Sequence, residues 1–137
     1  MDDKDTRFLE VGKLALKKAI EAAKPGNRVG NISLVIQETI ENAGFNVVHT
    51  LTGHGIGRKL HEEPQIPCFF AGGIKETPLL KKGMALAVEV IYTMGNPDLV
   101  LFSDNWTTAT KDDKISSLFE ETIVLDDNGA VVLTDGT

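Results

Sequence analysis

The sequence of 137 residues sets 14 Lys and Arg against 20 Asp and Glu, a net charge of −6, which excludes the basic footprint of a general nucleic-acid binder. No apolar run approaches the roughly 18 residues that a bilayer-spanning helix needs, so no membrane partner is expected. The single cysteine, Cys68, cannot form an internal disulfide, and the opening MDDKDTR lacks the apolar stretch of a signal peptide, so a cytoplasmic location is expected.

The length suits one compact domain with a core of its own, and 42% apolar residues are ordinary for a globular chain. The spacing predicts a first helix from Thr6 to about Lys24. Asp5 stands where it can cap that helix. Phe8, Val11, Ala15, Ala19 and Ala22 form its apolar stripe, widened by Leu9, Leu16 and Ile20. Arg7, Lys13, Lys17 and Lys18 fall on the wet side, and Pro25-Gly26 ends it. A second helix is expected from Ile32 to Asn42, with Asn31 as its N-cap. Ile32, Val35, Ile36 and Ile40 would be buried, and Gly44 suits a left-handed C-terminal stop.

Phe45–Val48 reads as a short strand. Thr52–Pro67 has no clean period and reads as loop with room for a short strand, and Gly72-Gly73 marks another loop. Met84–Tyr92 is a well-buried strand, followed by shorter candidates at Leu99–Phe102 and Trp106–Thr110. Thr122–Leu125 and Ala130–Leu133 flank Asp126-Asp127-Asn128-Gly129, whose Asn-Gly pair favours a tight hairpin turn. Two helices followed by several antiparallel strands predict an α+β domain with the helices on one face of the sheet.

Four places carry chemistry. In Gly53-His54-Gly55-Ile56-Gly57 a histidine sits among residues that let a backbone pass close to a neighbour. The pattern lacks the spacing of a phosphate-binding glycine loop. A histidine on such a segment suits metal ligation, and equally a hydrogen bond in a tight turn. His61-Glu62-Glu63-Pro64 adds a second histidine outside any helical zinc motif, which as a lone feature reads as solvated loop. Glu89 lies inside an apolar strand, where an isolated carboxylate needs a metal, a cation or a proton. Glu120 stands at the edge of an apolar segment, and water-facing strand ends are the commoner fate of both glutamates. One histidine with two carboxylates suits manganese, iron, cobalt or zinc better than copper, and such a site activates water and polarises a carbonyl.

At this point the sequence resembles a known family. GHGIGRKLHEEPQIP (Gly53–Pro67) is similar to the signature segment of bacterial-type methionine aminopeptidases. KKGMALAVEV (Lys81–Val90) is similar to the family's KPGM…TIEP strand. NWTTATKDDKISSLFEET (Asn105–Thr122) follows its GWTV…TKD…SAQ(F/Y)EHT segment, and Ala22–Val48 fits its helices.

The resemblance implies half of a pita-bread fold and removal of N-terminal methionine from a peptide or nascent polypeptide. It implies two divalent ions on five ligands, with His54 and Glu89 on one ion and Glu120 bridging both. By the same match His61 hydrogen-bonds the scissile amide, and Trp106 stands near the pocket for the methionine side chain. The two aspartate ligands of the family lie upstream of this chain's matching segment. Asp2, Asp3 and Asp5 are too close to His54 to replace them.

The chain is therefore expected to be the C-terminal half of a catalytic domain, over residues 1–137. It would hold at most one metal weakly and be inactive alone. A homodimer would cover the surface left by the missing half. Three departures stand out. Val90 in place of the usual proline should loosen the strand near a ligand. Leu60 in place of an aromatic should enlarge the side-chain pocket, and Glu121 in place of histidine should put extra negative charge beside Glu120. Two alternatives stay open: a non-catalytic peptide-binding or assembly half-domain, and a proline-directed aminopeptidase.

Overall fold

The computed structural model describes residues 3–49, 51–58, 62–95, 99–101, 108–110 and 115–134. Its first element is α1 (Asp3–Ala22). It begins before Asp5, so Asp5 is not the residue ahead of the helix but lies with Asp3 in the first turn, where negative charge complements the N-terminal end of the helix dipole. Phe8, Ala15, Leu16 and Ala19 are buried, and Arg7, Lys13, Lys17 and Lys18 are exposed, as the periodicity predicts.

Helix α2 (Val29–Asn42) starts three residues earlier than the sequence pattern suggests. Asn31 serves as its cap from inside the first turn, its Oδ1 accepting the Arg28 N–H at 2.8 Å. At the other end Gly44 takes a left-handed φ of 90°. The Gly44 N–H bonds the Glu41 carbonyl at 2.9 Å and the Phe45 N–H bonds the Ile40 carbonyl at 3.1 Å. This is the paired helix-end bonding that a glycine permits.

The strands are β1 (Asn46–Val47), β2 (Thr52–Ile56), β3 (Glu62–Pro67), β4 (Ala85–Thr93), β5 (Leu99–Leu101), β6 (Thr108–Thr110), β7 (Ser116–Asp126) and β8 (Gly129–Val132). The main sheet is antiparallel in the order β3-β2-β4-β7-β8, with β1 pairing the far end of β4, and β5 and β6 pair separately. The segment expected as loop is thus a hairpin of two strands. β3 holds Pro64, after a cis Glu63-Pro64 bond, and it lies at the sheet edge, where a missing N–H costs no ladder bond. β7 runs six residues further upstream than its β-rich tail suggests. The β7–β8 turn comprises Asp127 and Asn128, one residue ahead of the expected pair, with Asp126 Oδ1 accepting the Asn128 N–H at 2.8 Å.

Both helices pack on one face of the sheet. On β4, Leu86, Val88, Val90 and Tyr92 alternate into the core with Phe8, Ala15, Ile36, Ile66, Ile123 and Leu125. Tyr92 locks α1 to the sheet through a 2.6 Å bond from its hydroxyl to the Phe8 carbonyl. Ala87 and Glu89 fall on the opposite face, which the helices leave open.

Candidate metal centre

The β2 glycines bring His54 to that open face. A Cβ on Gly53 would stand 2.5 Å from the Ala87 carbonyl oxygen, and one on Gly55 would collide with the Glu63 carbonyl. Only glycine lets β2 lie this close to β3 and β4. His54 consequently pairs with Ala87 of β4 and Gln65 of β3. Glu89, two residues beyond Ala87, shares its face, and in the β4–β7 ladder it stands directly across from Glu120.

His54 Nε2 lies 3.3 Å from Glu89 Oε2, and both side chains are largely enclosed. His54 Nδ1 lies 3.0 Å from the Gly55 carbonyl oxygen. A carbonyl only accepts, so Nδ1 carries the proton, which turns the Nε2 lone pair toward the Glu89 carboxylate. Two acceptors facing each other at this distance need a proton or a cation between them. A ring that donates its far nitrogen to a backbone carbonyl is also the usual posture of a metal-ligating histidine. The Glu89 carboxyl is pushed above its ordinary range, first by burial and then by the negative charge of Glu120, with His54 pulling the other way. The donor set therefore suits a hard-leaning divalent cation.

Glu120 completes the set only loosely. It is exposed, and among the described residues no group of three or more His, Cys, Asp or Glu side chains closes around one point. His54 and Glu89 form a tight pair, and Glu120 is a cross-strand neighbour. A cleft of about 590 Å³ opens beside the pair, lined by Leu51, Thr52, Ile91, Ser116, Ser117 and Leu118 along with His54 and Glu89. His61, Leu60 and Trp106 lie outside the described residues.

Two expected effects of the departures do not hold. Val90 does not loosen its strand: it is buried, and the β4–β7 register runs unbroken from Ala85 to Thr93. Glu121 does not crowd Glu120, because neighbouring residues on a strand face opposite ways. Its Oε2 instead accepts a 2.6 Å bond from the Thr134 hydroxyl. The pattern reading also missed Cys68, whose thiol contacts the Glu89 and Ile91 backbone. Only the gap between the strands on that side of β4 reveals this role.

Comparison with known proteins decides the family, since residues 1–127 match metallopeptidase family M24. The chain belongs to that family. Within M24, it is 42% identical over 134 residues to methionine aminopeptidase 1 of Bacillus subtilis, covering 98% of this chain and 53% of that protein. It is 40% identical to the methionine aminopeptidase of Aquifex aeolicus, covering 94% and 50%. The crystal structure of methionine aminopeptidase from Thermotoga maritima superimposes with a TM-score of 0.92 at 42% identity, over 98% of this chain and 53% of that one. Prolidase from Pyrococcus furiosus follows the same fold with a TM-score of 0.74 at 26% identity, over 99% and 34%. The M24 chain described here has half of the pita-bread architecture and spans about half the length of these methionine aminopeptidases.

Proposed function

We propose that residues 1–137 are the C-terminal half of a metal-dependent aminopeptidase that removes methionine from polypeptide N-termini in the cytoplasm. The observation that carries this reading is the His54–Glu89 pair on the open sheet face, with Glu120 directly opposite. In this reading His54 and Glu89 would hold a divalent ion of manganese, iron, cobalt or zinc, and Glu120 would contribute a further carboxylate to a two-metal site. The second ion depends on two aspartates contributed from outside this chain. Bound metal supplies a Lewis acid and an activated water. His54 orients the cation through its Nδ1–H bond to Gly55, Glu89 neutralises it, and His61 hydrogen-bonds the scissile amide. Trp106 and Leu60 border the pocket for the methionine side chain.

Equilibrium dialysis with Mn²⁺, run beside a Met-Ala-Ser hydrolysis assay, tests the reading. The 137-residue chain should bind one Mn²⁺ weakly and leave the peptide intact, and His54→Ala should abolish the binding. Two tightly held ions with turnover would show that the chain needs no further half. Absence of any Mn²⁺ binding would remove the metal centre.

The lack of a closed three-ligand cluster among the described residues favours one second reading, a non-catalytic half-domain that binds peptides or assembles with a partner. Such a module would hold at most one ion weakly and hydrolyse nothing, and two tightly held ions with turnover would overturn it.

We also propose that the open face pairs with a second copy of the chain. Leu51 and Leu118 are 41% and 52% exposed and flank the cleft. Apolar surface of this kind finds partners.

A further inference from the structure

One edge of β4 is not covered by a continuous strand. β2 pairs with Ala85, Leu86 and Ala87, and β1 pairs with Tyr92 and Thr93. Between them the Glu89 carbonyl and the Ile91 N–H point toward the gap, because alternate residues of a strand aim their polar groups to the same edge. Buried backbone groups without partners cost free energy comparable to a lost hydrogen bond.

Cys68 fills the gap. Its thiol donates to the Glu89 carbonyl at 3.1 Å, and its sulfur accepts the Ile91 N–H at 3.4 Å. The side chain is fully buried, one residue past the end of β3, so it cannot serve solvent or an external ligand. The same rung anchors the residue whose carboxylate meets His54 at 3.3 Å.

We infer that Cys68 is a positioning residue: its thiol replaces the missing strand at the Glu89–Ile91 rung and thereby fixes the Glu89 carboxylate against His54. The consequence for metal affinity rests on the metal-centre reading above. The positional claim rests only on the thiol's two contacts with the β4 backbone. An apolar side chain of similar size fills the space but cannot bond both groups. Serine keeps a donor and an acceptor at the same place.

The test is nuclear magnetic resonance on the full chain as Cys68→Ala, Cys68→Val and Cys68→Ser, with Mn²⁺ affinity measured alongside. In Cys68→Val and Cys68→Ala the Ile91 amide should exchange with solvent about tenfold faster. The Val88 and Val90 amides, on the β7 side, should keep their protection. The through-space contact between the His54 ring and the Glu89 side chain should fade, and Mn²⁺ affinity should fall about tenfold. Cys68→Ser should restore the exchange rate and the contact. If Val88 and Val90 lose protection in Cys68→Val, the fold has failed there and Cys68→Ala decides. Unchanged Ile91 exchange and an intact His54–Glu89 contact in Cys68→Ala would overturn the inference, as would a serine variant that restores neither. A parent chain that binds no Mn²⁺ would defeat the metal centre, while the exchange and contact measurements would still decide the role of Cys68.

Discussion

Gly53 and Gly55 set how near His54 can come to Glu89, because each stands where a side chain would strike neighbouring backbone. The Ala87 carbonyl that a Cβ on Gly53 would meet belongs to the ladder and cannot swing aside as a flexible side chain could. Gly53→Ala should therefore push β2 away from β4. The expected loss is about 2 kcal/mol of folding stability, in line with other overpacked sites, measured by urea denaturation. Mn²⁺ binding should weaken in parallel, because His54 moves with β2. A Gly53→Ala chain with unchanged stability and affinity would mean that β2 tolerates a wider spacing. His54 and Glu89 were legible as candidates in the sequence, one from its glycine neighbours and the other from its apolar strand. That the two converge came only from the family resemblance, which puts them on one ion; residue pattern alone could not show the 3.3 Å meeting, because it depends on strand register. Glu120 stood out as an acid at the edge of an apolar segment, the family resemblance gave it a ligand role, and its cross-strand position came from the ladder.

The joint between α1 and β4 is held by Tyr92, whose hydroxyl bonds the Phe8 carbonyl and whose ring lies against Phe8 at 4.3 Å between centroids. Gly12 makes room for it, since a Cβ there would overlap the Tyr92 hydroxyl. Burial pushes the Tyr92 phenol up to about 12 from 10.0, with hydrogen bonds to Gly12 and Ser117 acting in the opposite direction. Because the folded value is the higher one, the contribution of Tyr92 is fully present below pH 10.0 and is lost as pH rises through about 12. Tyr92→Phe should cost about 1 kcal/mol near neutrality. It should also flatten the loss of stability at alkaline pH, as followed by thermal melts across that range. An equally steep alkaline loss in Tyr92→Phe would place the titrating group elsewhere. Both helices were legible because their apolar residues keep the helical period and because Pro25-Gly26 and Gly44 stop them. β2 and β3 were not, since glycines and prolines mimic a loop unless the close backbone neighbours are known. The first half of β7 escaped for another reason: Ser116 and Glu120 are polar residues that face open space rather than a core, so no alternation of apolar residues marks the strand.

The molecule as a whole is one-sided, with helices covering one face of the sheet and the candidate metal centre on the other. An acidic chain that leaves Leu51 and Leu118 partly exposed beside the cleft on that face should self-associate as concentration rises. Size-exclusion chromatography with light scattering should show a dimer, and Leu118→Glu should shift it to monomer by placing like charges face to face beside Glu89 and Glu120. A parent chain that stays monomeric at high concentration would rule out the second copy as the cover.

The two margins of the sheet differ in kind. Along β3, Pro64 lacks an N–H, which interrupts any new ladder on that border. The border at β8 has no proline, is short, and carries Val131 at 45% and neighbouring Leu133 at 59% exposure. Strand-by-strand accretion during expression or storage is thus polarised, with growth open on one flank and blocked on the other. A lysine at Val131 is the economical gatekeeper against fibrillar aggregates.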